Sequence, residues 1–415
     1  MNNIVNMIAD KIRIEEYDYP LPDERISKFP LQERDSSKLL IFTGSNDFLP
    51  VEGKFSDIDR FLPQDSLIIF NNTKVIPARL IFKRDSGALI EIFCLEPADP
   101  EDYRLNFACT EKCRWKVIVG NIKRWKEDAV SLLNSSNDPL IAAIDLRAEL
   151  VERESNRIVV EFSWKNGSSF SGVLEICGKI PIPPYLKRDP QPLDRLRYQT
   201  CYARIEGSVA APTAGLHFTG KVLEKIFQKG INQGYISLHV GAGTFLPVKS
   251  EYISEHNMHS EPFSITLEMV KSLRNYTSKH IIAVGTTSTR CLESLYFLGV
   301  QVIEKKAPTY VSQWEPYRDE GYDYTLEEAL DALIGYLEEN SLDLLLSRTE
   351  IIILPGYRFR VIDYLITNFH QPKSTLLLLI SAFVGPSWRD IYKFALENEF
   401  RFLSYGDSSL LEIRK

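Results

Sequence analysis

The sequence has few cysteines and none of the patterns that cysteine chemistry uses. Its 415 residues include six cysteines, and no two of them form a Cys-x-x-Cys pair. This argues against a disulfide-held secreted protein. Cys109 and Cys113 are four apart, but no second ligand pair lies near them, which argues against zinc. We expect reduced thiols in a reducing compartment.

Long apolar runs are also absent. The most apolar run covers residues 376–380 and continues to Phe383, which is less than half of the ~20 residues that a membrane helix needs. The first seven residues contain no basic segment followed by an apolar core, so they do not resemble a signal peptide. We therefore expect a cytoplasmic protein with no membrane partner.

The chain lacks an overall positive charge, because its formal net charge is −7. A nucleic-acid partner would have to be held by a local basic patch. A Ser-His-Asp order, a Walker loop and a deaminase Cys/His signature are missing as well. Apolar residues make up 44% of the chain and charged residues 25%, which is an ordinary globular composition.

The pattern of apolar and turn-forming residues changes along the chain and divides it into parts. From about residue 80 to 180, short alternating apolar segments between turn-formers predict a small β-barrel or sandwich. Strands and helices alternate from about residue 200. The sequence therefore predicts a discontinuous α/β catalytic domain (1–79 and 200–415), an inserted β-barrel domain (80–180), and a Pro-rich basic linker (181–199).

Particular elements follow from hydrophobic period and turn residues. Strands are predicted in the α/β part at 39–42, 66–70, 75–82, 236–240, 280–284 and 351–354. Helices are predicted at 221–229, 267–276, 288–298, 326–340 and 388–398. The alternating segments of the barrel are 88–95, 104–108, 115–119, 141–150, 157–164 and 170–176.

Four loops of small residues that contain histidine or threonine lie in the second half of the chain. They cover residues 208–219, 236–248, 281–290 and 367–375. Such loops are too broken by Pro and Gly to be helix or strand interiors, and too apolar for idle surface. We predict that they form one composite active site.

Two of these loops suggest anion sites at helix starts. Gly285 to Ser288 follow an apolar strand and open a helix, and Arg290 adds a clamp for a carboxylate or phosphate. The alternative is that Thr287 or Ser288 is only an N-cap. Lys373 and Ser374 precede another helix, where Ser374 is a plain N-cap in the simpler interpretation.

The histidines are candidate acid–base groups. His256 and His259 are spaced i, i+3 with Glu261 after them, but a third metal ligand is not visible, so we predict no metal. They form either a surface turn or an acid–base site. His217 and His370 are either core residues or site residues. His239 precedes a Gly-Ala-Gly turn that lacks the third glycine of a dinucleotide fingerprint.

A local basic stretch covers residues 179–204. It holds six basic side chains, two acidic ones and three tyrosines. Basic groups interleaved with aromatics suit phosphate contact and base stacking, although the stretch by itself slightly favours a solvated linker.

Taken together, the motifs resemble one family, the S-adenosylmethionine:tRNA ribosyltransferase-isomerases of queuosine biosynthesis. The matching stretches, in chain order, are 21–38, 71–80, 181–185, 198–200, 208–219, 239–248, 258–261, 285–288, 355–357, 367–370 and 404–407. The resemblance departs at Leu246, where arginine is expected, and at Gln371, where leucine is expected. Residues 303–346 match poorly and look like an added helical segment.

The resemblance implies a reaction and partners. The ribosyl part of S-adenosylmethionine is transferred and isomerised onto 7-aminomethyl-7-deazaguanine at the tRNA wobble position. Epoxyqueuosine forms, and adenine and methionine leave. S-adenosylmethionine is then a co-substrate and no cofactor is needed. The partner is the anticodon region of tRNA, and we expect a monomer. The family fold is an α/β domain with an inserted barrel, as predicted above.

The resemblance also implies site residues. The acid–base tasks fall to His217, His239, His259 and Glu261. Phe218 or Phe245 faces the sulfonium, and Arg290 holds the methionine carboxylate. The other substrate-binding residues are Arg34, Asp35, Pro212, Thr213, Gly215, Gly243, Thr244, Thr286, Thr287, His370, Lys373, Ser374, Tyr405 and Asp407. The RNA-binding residues are Lys187, Arg188, Arg195, Arg197 and Tyr198.

Two alternatives stay open. One is a paralogue with this fold that acts on a substrate other than tRNA. The other is an RNA-binding protein without chemistry.

Overall fold

The computed structural model describes residues 11–126, 129–135, 137–154, 157–241, 248, 250–318 and 322–414. Its strands, in chain order, are β1 (Lys38–Phe42), β2 (Val51–Lys54), β3 (Ser66–Asn71), β4 (Thr73–Val75), β5 (Arg79–Lys83), β6 (Leu89–Asp99), β7 (Lys112–Gly120), β8 (Val130–Leu132), β9 (Arg147–Glu154), β10 (Arg157–Ser163), β11 (Ile205–Ser208), β12 (Asn232–Leu238), β13 (Glu261–Thr266), β14 (His280–Val284), β15 (Tyr310–Val311), β16 (Leu344–Thr349), β17 (Tyr364–Asn368) and β18 (Ser408–Glu412).

The helices are of two kinds. The α-helices are α1 (Tyr103–Ala108), α2 (Pro139–Ile144), α3 (Phe170–Cys177), α4 (Asp194–Arg197), α5 (Gly220–Gln228), α6 (Leu267–Arg274), α7 (Thr286–Ile303), α8 (Leu326–Glu339), α9 (Thr375–Val384) and α10 (Trp388–Glu397). Short 3-10 turns that matter below are Arg34–Ser36, Phe55–Arg60, Pro184–Leu186, Thr213–His217 and Glu315–Tyr317.

A ten-stranded mixed sheet organises the α/β part. Its strand order is β15-β16-β13-β12-β3-β14-β17-β18-β1-β2. The central strands β12, β3, β14 and β17 are mutually parallel. β18 is antiparallel to β17 and parallel to β1. The strands β3, β14 and β17 are buried on both faces, which explains their continuous apolar sequences.

A closed antiparallel barrel forms the second unit, in the order β10-β7-β6-β5-β8-β9. Trp115, Phe82, Phe162 and Phe170 fill its core. The α/β fold with a barrel is therefore confirmed. The chain enters and leaves the barrel where β5 begins and α3 has ended, through reciprocal backbone hydrogen bonds. The domain boundaries predicted above stay a prediction.

Three predicted β-segments are wrong because local capping outweighs alternation. Segment 104–108 is helix α1, whose N-cap Asp102 accepts hydrogen bonds from two backbone amides. Segment 170–176 is helix α3, capped by Ser169. Segment 141–150 divides into the end of helix α2 and the start of strand β9. Asp138 caps α2 in the same way, so a side-chain cap begins the helix in all three segments.

The predicted strand at 351–354 is also wrong. These residues are buried but join no strand. Side chains take the hydrogen bonds that a ladder would supply: the Tyr317 hydroxyl donates to the Ile352 carbonyl and accepts from the Leu354 amide. The neighbouring strand β16 was not predicted.

The segment that resembles the family least contributes to the main core. Helix α8 packs on α7 with Leu330, Leu333 and Leu337 fully buried. The two helices approach so closely at Gly299 that a Cβ there would lie 2.1 Å from the backbone oxygen of Ala329. Within the described part of the chain, no helix is both long and apolar enough to cross a membrane.

This contact predicts opposite outcomes for two glycine-to-alanine changes in neighbouring helices. Gly299→Ala should lower the free energy of unfolding by about 1–3 kcal/mol, because the backbones must separate. Gly335→Ala in α8, where an added Cβ meets nothing within 4 Å, should raise it by roughly 1 kcal/mol. Urea unfolding followed by circular dichroism measures both. Equal stability of the two variants would contradict the proposed contact.

Candidate functional site

The candidate site lies at one edge of the large sheet, where the carboxyl ends of β12, β3, β14 and β17 meet. Ligands of open α/β sheets bind in the crevice outside such ends. β18 pairs Ser408 with Asn368 in the antiparallel sense, so the residues before β18 reach the same edge. β1 pairs Leu39 with Ser408, which brings Ser37 there too.

A partly enclosed cavity of about 100 Å³ opens between the loops at this edge. Residues 210–214, 285–287 and 367–371 line it, together with Arg290 and Ser374. Three of the four predicted loops therefore converge, and they bring the predicted site residues Pro212, Thr213, Thr286, Thr287, Arg290, His370 and Ser374 together. The fourth loop contributes Val240, while Gly243, Thr244 and Phe245 lie outside the described residues.

The N-terminus of α7 faces this cavity without a side-chain cap from any described residue. Its N-cap is Gly285, with φ 89°. Ser288 and Thr289 donate backwards to the carbonyls of Val284 and Gly285, at 2.7 and 3.2 Å. The interpretation of Thr287 or Ser288 as a simple cap is thus wrong. The first amides of α7 and the helix dipole favour an anion in the cavity.

A buried ion pair lies beside that helix start. Arg290 Nη1 donates to Glu261 Oε2, and Arg290 Nε donates to the Ile351 carbonyl at 3.1 Å. Among the described residues, Arg290 Nη2 and Glu261 Oε1 have no partner, although both atoms are buried. Glu261 thus orients Arg290, which lines the cavity, and one buried guanidinium nitrogen is left without a partner among the described residues. An acid–base role for Glu261 stays a prediction.

His217 is held from both sides within the protein. Asn368 Nδ2 donates to His217 Nε2 at 3.1 Å and to the Asp407 carbonyl at 3.4 Å, which fixes the orientation of the amide. His217 Nδ1 therefore carries the proton and donates to Ser37 Oγ at 2.9 Å. Burial lowers the pKa of His217 to about 4. The ring is neutral at pH 7, and both its nitrogens are occupied.

Two of the residues that the loop before α9 contributes to the cavity were predicted to bind substrate. One is a histidine with a neutral ring, His370, and the other is the N-cap residue of the helix, Ser374. His370 Nε2 lies 3.0 Å from Thr367 Oγ1, and burial lowers the pKa of His370 to about 3. Ser374 is the N-cap of α9 and accepts from the Leu377 amide at 3.2 Å. Ser374 is therefore an N-cap that also lines the cavity, and its contact with substrate stays a prediction.

Lys373 does not serve the cavity, contrary to the prediction. Its Nζ pairs with Glu15 at 2.8 Å and with Asp18 at 3.1 Å. It is not among the residues that line the cavity. Its ammonium group is therefore engaged by two carboxylates outside the cavity.

His239 follows strand β12, as Val240 does, but it does not line the cavity that Val240 lines. It lines a cleft of about 1190 Å³ between the barrel and the sheet. Its ring stacks on Tyr103 with centroids 4.2 Å apart, and burial lowers the pKa of His239 to about 4. His259 is exposed and lines none of the cavities described here. The three predicted imidazoles therefore occupy separate surroundings rather than one cavity.

Three predicted substrate contacts have structural partners instead. Phe218 is fully buried and packs edge-on against Phe55 and Phe70, so it cannot face a sulfonium in the cavity. Gly215 is needed for packing, because a Cβ there would lie 2.0 Å from a tyrosine hydroxyl. Asp35 accepts a hydrogen bond from the N-cap threonine of α5 at 2.9 Å.

Tyr405 and Asp407 lie near the cavity but serve buried networks. The Tyr405 hydroxyl donates to Asp194 at 2.8 Å. Asp407 pairs with Arg401 at 2.6 Å and is almost fully buried. Tyr405 and Arg401 line a second, small cavity of about 20 Å³, which adjoins the first at Ser404.

Residues 181–199, which were predicted to be a basic linker, form a folded segment that we call the strap. Arg188 donates two hydrogen bonds to Asp194, at 2.7 and 2.8 Å. Tyr198 has no exposed surface, so it cannot stack on a base. The predicted RNA contacts of Arg188 and Tyr198 are corrected, because both residues hold the strap to the body of the protein.

Three further basic residues of the strap differ in their exposure and in their partners. Lys187 is 64% exposed and pairs with Asp23, while Arg195 is 45% exposed and pairs with Glu175. Arg197 donates only to backbone carbonyls among the described residues.

Sequence reasoning missed three side chains of the site. Ser37 and Asn368 lie in stretches that resemble the family, yet only the fold places them on either side of His217. Tyr185 lines the cavity and hydrogen-bonds to Ser404. A sequence pattern alone offered no way to pair residues so far apart.

The fold and the site together define an α/β protein with a barrel and a polar, anion-attracting cavity at the strand ends. The family model described as "Queuosine biosynthesis protein" matches residues 14–411. A curated relative from Sulfurihydrogenibium sp. is 37% identical over 409 residues, covering 96% of this chain and 100% of the relative. One from Halothermothrix orenii is 37% identical over 404 residues, with the same coverage. Both are named S-adenosylmethionine:tRNA ribosyltransferase-isomerase.

The chain therefore belongs to the S-adenosylmethionine:tRNA ribosyltransferase-isomerase family of queuosine biosynthesis, which is a family of enzymes. The resemblance inferred from the motifs is thereby confirmed. A solved structure of S-adenosylmethionine tRNA ribosyltransferase from Thermotoga maritima is 25% identical, with a TM-score of 0.45, and the match covers 95% of this chain and 99% of that one.

The buried state of His217 predicts a pH-dependent stability. Its pKa is lower in the folded protein than in the unfolded chain, so the unfolded chain binds more protons between pH 6.5 and about 4. Stability is therefore complete above the ordinary pKa and falls as the pH drops through this window. Between pH 7 and pH 5 the loss from His217 is about 2 kcal/mol.

The measurement is urea unfolding of wild type, His217→Asn and His259→Gln at pH 7 and pH 5. The first variant should lose less stability on acidification than wild type, by about 2 kcal/mol. The second changes an exposed ring and should follow wild type. An unchanged pH dependence in His217→Asn would show that this imidazole is not the buried neutral group described.

Proposed function

We propose that this protein transfers and isomerises the ribosyl part of S-adenosylmethionine onto 7-aminomethyl-7-deazaguanine at the tRNA wobble position. The products are epoxyqueuosine-tRNA, adenine and methionine. The observation that carries the proposal is the cavity lined by both the uncapped start of α7 and Arg290, in a chain of this family. S-adenosylmethionine is a co-substrate here, and no cofactor is required.

The geometry supports a division of the two substrates. The cavity of about 100 Å³ is too small for both, and its anion-attracting wall suits the carboxylate of the methionine part. The cleft of about 1190 Å³ has room for a nucleotide. Val240 lines the cavity and His239 lines the cleft, so the chemistry belongs at the end of β12 where the two spaces approach.

The reaction needs proton transfers that neutral imidazoles can serve. The sulfonium acidifies the neighbouring ribose carbon, the attacking amine must be neutral, and adenine needs a proton or hydrogen bond as it leaves. His239 is neutral at pH 7 and fits proton acceptance in the cleft. His217, with both nitrogens occupied, fits positioning through Asn368. His259 stays a candidate for a group that reaches the substrate from the surface.

The decisive experiment incubates the purified protein with ribose-labelled S-adenosylmethionine and tRNA that carries 7-aminomethyl-7-deazaguanine. Nucleoside analysis should find the label in epoxyqueuosine, with equal amounts of adenine and methionine released. Label in a small molecule would favour the paralogue with another substrate. RNA binding without label transfer would favour a non-catalytic protein. We further propose that the tRNA is bound through its anticodon region by a monomer in the cytoplasm.

Arg290→Lys tests the carboxylate contact. Lysine keeps the charge beside Glu261 but cannot present a second nitrogen to the cavity. The KM for S-adenosylmethionine should rise about 10- to 100-fold, the range for one charged hydrogen bond, while kcat changes less.

Arg188→Lys is the matched control, because Arg188 also pairs with a buried carboxylate but lines neither the cavity nor the cleft. It should leave the KM unchanged. A KM for Arg290→Lys equal to that of wild type would remove Arg290 from the binding site.

A further inference from the structure

Two arginines beside the small cavity carry charges that no described carboxylate neutralises. Arg34 lies in the turn Arg34–Ser36 and Arg197 ends α4, and both line the cavity of about 20 Å³. Within the described part of the chain, neither forms an ion pair, whereas Arg401 on the same cavity pairs with Asp407. Both side chains are half-buried. The charge at this point is therefore positive and uncompensated.

Backbone carbonyls hold the two guanidinium groups in place. Arg34 donates to the Gln199 carbonyl at 2.8 Å and to that of Leu196 at 3.3 Å. Arg197 donates in return to the carbonyls of Gln32, at 3.0 Å, and Leu31. The two segments clamp each other, so the cations are fixed side by side before any ligand arrives.

This arrangement has an electrostatic cost. Burial and the neighbouring Arg197 charge lower the pKa of Arg34. Arg197 Nε is buried without a partner among the described residues. Like charges held together by neutral carbonyls repel each other, and an anion at the cavity mouth removes that repulsion.

The position of the pair limits the ligand. The small cavity admits one water-sized group, so a ligand oxygen can enter while the rest stays outside. Ser404 lines both this cavity and the cavity of about 100 Å³, so the ligand lies beside the space proposed for the methionine part of S-adenosylmethionine. The larger cavity has its own anion-attracting groups in α7 and Arg290, so the methionine carboxylate does not need the pair.

We propose that Arg34 and Arg197 together bind one backbone phosphodiester of the tRNA, beside the cavity that takes S-adenosylmethionine. The inference rests on the proposed function and adds the place where the RNA backbone is gripped. Arginine suits this task because its planar fork matches phosphate oxygens and its charge persists at every relevant pH.

The experiment measures the affinity of the full-length protein for an anticodon stem-loop RNA at several salt concentrations. Arg34→Gln and Arg197→Gln should each weaken binding about tenfold near 0.1 M salt and reduce the salt slope by about 0.7–0.9. Arg13→Gln is the control, since Arg13 is paired with Glu251 and lines none of the cavities described here, and it should bind within about twofold of wild type. The KM for S-adenosylmethionine should not change in any variant.

Further measurements distinguish a phosphodiester contact from loss of folding and from binding of a free anion. Thermal melting checks folding, and if a glutamine variant is unstable, Arg34→Lys and Arg197→Lys are used, which should keep the wild-type salt slope. Inorganic phosphate should compete with the RNA for wild type. A wild-type slope in both glutamine variants overturns the inference, as does a loss confined to S-adenosylmethionine affinity. Phosphate binding that depends on the arginines while RNA binding does not would show a free-anion site and overturns it too.

The same measurements separate this inference from the proposed function. If the wild-type protein neither binds the RNA nor transfers the label, the proposed function is contradicted. If the wild-type protein and the glutamine variants bind the RNA and transfer the label equally well, only the phosphate site is contradicted.

Discussion

The common direction of β12, β3, β14 and β17 is the constraint on which the rest of the site depends. Parallel neighbours place all their carboxyl ends at one sheet edge, so loops separated by more than a hundred residues meet there. The reversal at β18 then brings the chain around Ser404 to the same edge, and β1 brings Ser37. A strand running the other way in the centre would send its loop to the opposite edge and remove one wall of the cavity.

Burial at that edge decides the chemical state of its side chains. His217, His239 and His370 are desolvated, and the resulting low pKa values keep the rings neutral at pH 7. The cationic groups divide into two kinds. Arg290 is oriented by a carboxylate, whereas Arg34 and Arg197 are held by backbone carbonyls and have no carboxylate partner among the described residues. This sheet edge therefore carries neutral imidazoles and fixed positive charges in separate places.

The errors of sequence reasoning have a common physical origin. Alternation and apolar runs describe which residues are buried, but a single side chain can decide the backbone. Asp102 and Ser169 turned two apparent strands into helices. Tyr317 kept an apolar run out of the sheet by taking its hydrogen bonds. Likewise, an aromatic in a basic stretch suggests a base-stacking group until burial places Tyr198 inside the protein.

The sequence by itself determined the fold class, the barrel within an α/β chain, the family, and three of the loops that build the cavity. These follow from local composition and ordered motifs, which a one-dimensional pattern records. Only the tertiary structure decided which residues share a space: that Asn368 and Ser37 hold His217, that Glu261 orients Arg290, and that His239 lies in a separate cleft. Pairings across such distances depend on strand order and direction, and residue spacing along the chain does not encode them.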